Sequence, residues 1–329
     1  MFWLLLSELA EIFDEEIKST GGRPKATLSD LFFSAGLKLH NNASSRRLNS
    51  DLKLFESLGF LKKAPGVNTL NDFLNCETTE DLLLTALQIT ALPLKLIDRD
   101  MIAIDSSGFG SYQYERWMRV RFKKGVDGKE LKNLWRNYVK AHITSGIGTH
   151  AVYSCVITPG NYSDDRQVPE LLEQLSYNAK PRMISGDKAY SSYRTLQIIK
   201  KLGAVPIIPF KDNANPQEKS PDIWKIAYNY FTNHRDEFDF YYRQRPQVEA
   251  TFSIVKRKFG EFLRCKKFVS QKNELLMKFI CHNICCLVVQ IFQKEINIDF
   301  KRAMEEYVNR KVEMKGKIAS VRKGEILED

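Results

Sequence analysis

The sequence predicts a mixed α/β fold: one sheet flanked by helices, behind an all-helical amino-terminal region. Two observations carry that reading. Apolar residues recur at helical spacing through the first hundred positions, and from Leu96 they gather instead into short runs divided by polar turns. Composition agrees, since 329 residues with 43% hydrophobic and 11% aromatic content can bury a full core. The expected organisation is a helical region over 1–98, a catalytic domain over 99–292 and a charged helical tail over 293–329.

In order, MFWLLLSELAEIF starts an amphipathic helix that runs through Ile12, Phe13 and Ile17 and ends at Gly21, Gly22 and Pro24. A second apolar pattern passes through Leu28, Leu31, Phe32 and Leu37. Asn41, Asn42, Ser44 and Ser45 supply turn and capping chemistry before a third helix that stops at Gly59. A last helix spans about Asn71 to Leu92. LIDRDMIAIDSS then reads as a strand ending at Asp105, and YVKAHI with THAVYSCVIT as a hairpin turning at Ser145-Gly146-Ile147-Gly148. VPELLEQLS is helical, PRMISGD is a short strand ending at Asp187, YRTLQIIKKLG is a helix closed by Gly203, and AVPIIPF is a strand. A helix carrying Glu249 follows. Three strands, then helix, strand, helix, strand and helix is the succession of a ribonuclease H-like mixed sheet with helices on both faces.

The net charge of +10 is unevenly distributed. From Tyr241 to Phe268 there are eight basic residues and two acidic ones, whereas positions 1–19 are acidic. A localised basic block suits a polyanion, most simply nucleic acid. Between the first two strands lie more than thirty residues where a tight turn would suffice. They hold Arg116, Arg119, Arg121, Lys123, Lys124, Lys129, Lys132 and Arg136, with Trp117 and Trp135 among them. An extended hairpin or loop lying on DNA is expected there. The amino-terminal helices, with Arg23, Lys25, Arg46 and Arg47 near their ends, read equally as a DNA-binding module or a structural layer.

Three of the six cysteines crowd into CHNICCLVV beside His282, but the spacing fits no common zinc pattern and the segment reads as a buried helix. Without a paired cysteine framework a reducing, cytoplasmic compartment is expected. The amino terminus lacks a basic n-region, and DLLLTALQITALPLKLI is interrupted by Gln88, Pro93 and Lys95, so no membrane insertion is expected.

The chemistry gathers on three acids. Asp105 and Asp187 each close an apolar strand, at a sheet rim where ligands and metals sit in such folds. Glu249 lies in YYRQRPQVEATFSIVK, which sets Tyr242, Arg245, Glu249 and Lys256 at intervals of three, four and seven. In a continuous helix those positions share one stripe. Pro246 is best at a first helical position and is expected to push Arg245 out of helical geometry. Any one of these aspartates alone reads more readily as a cap or turn residue, and the stripe alone more readily as a solvated, ion-paired helix. Asp165 is a rival for the second acid but precedes a helix, where a cap or turn role is ordinary. His142 shares a strand face with Lys140 and reads as structural. Together, hard carboxylate oxygens suit Mg²⁺ or Mn²⁺, and two such ions can serve phosphodiester displacement.

With these residues the chain resembles a DDE transposase of prokaryotic insertion sequences, in the group with a Y-R-E-K signature. Tyr242, Arg245, Glu249 and Lys256 meet its intervals, and Asp105 matches the first acid. Asp187-Lys188-Ala189-Tyr190 matches the second, with Ala189 in place of the more usual glycine. The likeness covers roughly residues 20–290 and suits the compact members, which lack a large β-rich insertion before the glutamate. It implies binding of element ends, cleavage with two Mg²⁺ held by Asp105, Asp187 and Glu249, and joining of the 3′-OH to target DNA. It further implies phosphate contacts from Tyr242, Arg245 and Lys256 and a homodimer or higher assembly on DNA. A non-catalytic DNA-binding derivative and a nuclease that cuts without joining are the rivals.

Overall fold

The computed structural model describes residues 1–14, 26–43, 45–110, 138–216 and 220–323. Five strands form one sheet in the order β3-β2-β1-β4-β5. β1 (Met101–Gly110), β2 (Tyr138–Gly146) and β3 (Val152–Pro159) are antiparallel. β4 (Met183–Ser185) and β5 (Val205–Ile207) run parallel to β1. This is the ribonuclease H-like sheet expected from the element order.

Ahead of the sheet come α1 (Phe2–Glu11), α2 (Leu28–His40), α3 (Ser45–Ser57), α4 (Val67–Asn75) and α5 (Thr78–Ala91). Thr27 and Asp30 close a reciprocal capping box that fixes the start of α2. The single helix expected over 71–92 is instead two. Cys76 adopts extended geometry, and the Thr79 hydroxyl donates to the Phe73 carbonyl, so local side-chain bonding competes with the helix ladder. Ile17 of the expected first helix falls outside the described residues.

Among the sheet's helices are α6 (Val168–Ser176), α7 (Tyr193–Lys201) and α10 (Pro246–Phe259). Two helices not anticipated from the sequence, α8 (Asp222–Asn233) and α9 (Arg235–Tyr242), precede α10. They are organised by aromatic contacts. Trp224, Tyr228 and Phe231 surround Phe210, while Phe238 is buried with Met101 and Ile207. The strand expected to end at Asp105 continues five residues to Gly110, paired throughout with β2. Asp105 nevertheless marks an edge of another kind, because β4 pairs with β1 only from Met101 to Ala103.

α11 (Phe268–Lys294) runs through the middle, and α12 (Phe300–Lys323) follows it. By length and hydropathy α11 resembles a membrane span, yet 72% of its apolar window is buried inside the protein. It is a core helix. Its buried Asn283 bonds both the N–H and the carbonyl of Val152, and its buried Lys278 donates to the carbonyls of Gly260 and Phe262. Cys281 and Cys286 are buried in it, and all six cysteines are free thiols.

The β2–β3 turn is tied to the chain ahead of β1 by Asp98, which is 2% exposed. Its carboxylate accepts from the N–H groups of Gly148 and Thr149, from the Thr149 hydroxyl and from Tyr153. A Cβ at Gly146 would fall inside that carboxylate. Gly146→Ala is therefore expected to destabilise the fold by on the order of 3 kcal/mol, through overpacking and broken buried hydrogen bonds. Urea unfolding checks this, and a midpoint equal to the parent's would contradict it.

Candidate active site at the ends of β1 and β4

The site is built where β1 outruns β4. Asp105 lies two residues beyond the last β1–β4 pair, Ala103 with Ser185, and Asp187 lies two residues beyond it on the other chain segment. Asp187 caps the turn over Lys188–Tyr190, accepting from the Ala189 N–H at 2.7 Å. Glu249 comes from the first turn of α10, whose first residue is Pro246, and its side chain is exposed.

Arg245 joins two of these acids. Its Nη1 donates to Glu249 Oε1 at 2.9 Å and its Nη2 reaches Asp105 Oδ2 at 3.5 Å. Arg245 was expected to leave helical geometry before Pro246, but its dihedrals are helical, φ −56° and ψ −37°. Its N–H bonds the Tyr242 carbonyl at 2.9 Å, and its guanidinium is held at both ends, contacts that offset the steric bias of the following proline. Arg245 is only 17% exposed, so this bridge is partly desolvated.

Burial pushes the Asp105 carboxyl above its ordinary range. The Ser106 N–H and Arg245 pull it back, while Asp187 and Glu249 push it up again by like-charge repulsion. The three acids thus share one electrostatic neighbourhood. Tyr242 stacks on Phe238 with centroids 5.7 Å apart. Burial raises its hydroxyl pKa, Arg245 opposes this, and Asp187 and Glu249 add to it. Lys256, two turns beyond Glu249, donates to Ser107 Oγ at 2.8 Å and lies 5.0 Å from the centre of the Phe109 ring. Its burial lowers its pKa. Tyr242, Arg245, Glu249 and Lys256 therefore gather with Asp105 and Asp187 at one place.

Other residues singled out in the sequence do different work. Asp165 accepts from the hydroxyls of Ser192 and Thr195 at 2.6 and 2.7 Å, which locks the start of α7. His142 is fully buried, with Nε2 2.9 Å from Thr158 Oγ1 and Nδ1 3.1 Å from Asp164. Arg119, Arg121, Lys123 and Lys124 lie outside the described residues.

Sequence reasoning gave no role to Ser106, Ser107, Asp164 or Tyr190, although Tyr190 lies in the matched Asp187–Tyr190 motif. Signals existed for two of them: Asp164 sits beside the considered Asp165, and Tyr190 closes the Asp187 turn.

Asp105, Asp187 and Glu249 offer the hard oxygen donors that Mg²⁺ and Mn²⁺ take. Among the described residues no three His, Cys, Asp or Glu side chains are gathered tightly enough to hold one ion. Between Asp105 and Glu249 the cation present is the Arg245 guanidinium.

The model of the transposase DDE domain matches residues 96–284, more than half the chain. An uncharacterised protein of Aquifex aeolicus (strain VF5) is 27% identical over 274 residues, covering 81% of this chain and 80% of that protein. Among solved structures the chain is similar to the cryo-EM structure of the piggyBac transposase synaptic complex with hairpin DNA. That match has 12% identity and a TM-score of 0.44, over 96% of this chain and 81% of the other.

Proposed function

The chain belongs to the transposase DDE domain family, and on that premise we propose that it binds the ends of its own mobile element, cuts them and joins the 3′-OH to target DNA. The observation that carries this reading is the double contact of Arg245 with Asp105 and Glu249, which unites residues from a central strand and a distant helix. Asp105, Asp187 and Glu249 would hold two Mg²⁺ ions, with Mn²⁺ as a substitute. Bound there, the ions would supply Lewis-acid activation of the attacking oxygen and stabilisation of the leaving one.

The chain's own residues do the rest by positioning and charge. Arg245 places a guanidinium charge between Asp105 and Glu249 at this rim, where it would attract a phosphate oxygen. Lys256 reaches the same rim through Ser107, and the Tyr242 phenol stays protonated as a donor beside it. Water is the first nucleophile, and the freed 3′-OH is the second. Two or more copies assemble on paired ends, in the cytoplasm on nucleoid DNA.

Incubation with labelled element ends, Mg²⁺ and a target plasmid tests the reading. Joined product is expected. Cleavage without joining would make the protein a nuclease, and binding without any product would make it a non-catalytic derivative.

The basic segment between β1 and β2 is assigned to the DNA backbone. Neutralising Arg119, Arg121, Lys123 and Lys124 together is expected to weaken end binding and to flatten its salt dependence by a few units of slope, at about 0.9 per phosphate contact. A titration with unchanged slope would show that these residues touch no phosphate.

A further inference from the structure

The chain leaves α10 as a loop from Gly260 to Lys267 that is bound along its length. Phe262 bridges to Gly110 at the end of β1, and the Leu263 N–H donates to the Gly110 carbonyl at 2.8 Å. Three buried side chains of α11 take up more of its backbone. Lys278, 1% exposed, donates to the carbonyls of Gly260 and Phe262 at 3.1 and 2.9 Å. Glu274, also 1% exposed, accepts from the N–H groups of Arg264 and Cys265 at 2.9 and 2.8 Å. Gln271 donates to the carbonyls of Cys265 and Lys266 at 3.0 and 3.3 Å. Burying an ammonium and a carboxylate is costly, and here both are spent on the backbone of one loop. Its shape is set before any partner arrives.

What the loop displays is basic. Arg264, Lys266 and Lys267 are exposed, and over 257–267 five basic residues stand against one acid, Glu261. Arg264 is oriented further by Asn42, just past α2, whose carbonyl and side-chain oxygens accept from Nη2 at 2.9 and 2.8 Å. The loop also has a fixed place relative to the acids. Gly110 is five residues past Asp105 on β1, a span of about 17 Å at the usual strand rise. That equals about half a turn of duplex DNA, or five base pairs.

We propose that the Gly260–Lys267 loop is a second DNA-contacting surface, on which Arg264, Lys266 and Lys267 take backbone phosphates of the element's end about five base pairs from the cut. This rests on the reading of the protein as a transposase that acts on that end. A duplex with one phosphate at the acids carries others at fixed distances from it. A preformed loop meets them with little ordering cost, and such contacts set the register of the duplex.

Binding of a labelled duplex carrying one element end, measured against salt concentration, tests the surface. The double variant Lys266→Gln with Lys267→Gln should bind about tenfold or more weakly at low salt, and its slope should fall by about 1.8, at 0.9 per phosphate contact. Thermal unfolding should stay near the parent's, because both lysines are exposed and Lys267 makes no side-chain cap bond to α11. Adding Arg264→Gln should lower the slope by about 0.9 more. Neutral methylphosphonates placed about five base pairs from the cut should weaken the parent and hardly affect the double variant, since both changes remove the same contacts.

A parent-like slope in the double variant overturns the surface. So does a methylphosphonate effect as large in that variant as in the parent, which would leave the lysines to solubility or to another polyanion. Failure of the underlying reading looks different. A parent protein that binds the end duplex no more tightly than an unrelated duplex removes the transposase assignment, and the loop's role falls with it.

Discussion

If Asp105, Asp187 and Glu249 hold the metal ions as proposed, Asp105→Asn, Asp187→Asn and Glu249→Gln are each expected to lower DNA cleavage by on the order of 10³-fold or more, because several kcal/mol of charge stabilisation would depend on each carboxylate. End binding should survive in all three. The amides keep the shape of the acids, and losing negative charge beside a polyanion does not weaken its attraction. Asp105→Asn and Glu249→Gln also weaken the Arg245 bridge, so a small fall in stability is expected with them and not with Asp187→Asn, which has no such contact. Asp165→Asn is the informative control, because Asp165 is spent on Ser192 and Thr195. It should cost stability and leave the chemistry of correctly folded protein intact. An Asp187→Asn protein that cuts at the parent rate, beside a dead but folded Asp165→Asn, would transfer the role to Asp165.

Lys256→Ala is expected to slow cleavage or joining by about tenfold or more, as loss of one charge-assisted phosphate contact of roughly 1.5–3 kcal/mol. In the DNA-free protein its ammonium is parked on Ser107 and over Phe109. Those contacts hold the side chain at the rim before any phosphate arrives, which reduces the ordering cost on binding. Lys256→Arg should recover only part of the rate, because a planar fork replaces a compact ammonium poorly at a tight site. Were Lys256 merely a packing residue, Lys256→Ala would melt earlier and react normally. Single-turnover cleavage measured beside thermal unfolding separates the two, and normal kinetics would remove Lys256 from the site.

The signals most legible in the sequence were those with fixed spacing or strong periodicity. The Tyr242–Arg245–Glu249–Lys256 spacing was one of them, although its members fall on a helix, a turn and a second helix instead of one continuous helix. Strand order and the Gly203 helix end were also legible, since each depends on local pattern and left-handed backbone; Gly203 has φ +78°. What stayed hidden depends on pairing across the sheet. That β1 outlives β4 at Asp105 follows from how short β4 is, which no property of MIAIDSS reveals. α8 and α9 were missed because their aromatic residues read as neither period cleanly until Phe210 and Met101 gave them a surface. The helical dihedrals of Arg245 contradict the local rule for a residue before proline, and the carboxylates that hold it come from 140 residues upstream and four downstream.

α11 holds a consequence for inheritance. Asn273 donates to the carbonyls of Leu74 and Cys76, Cys281 to that of Gly36, and Asn283 to Thr90, all in the amino-terminal helices. The same Asn283 pins β3, and Lys278 holds the segment leaving the Glu249 helix. A copy of the gene that lost its first third would thus encode a chain whose central helix is stripped along one side and whose buried amides lack partners. Such a product would be cleared by proteolysis before it could cut anything. Copies truncated in this way would then be silent relics.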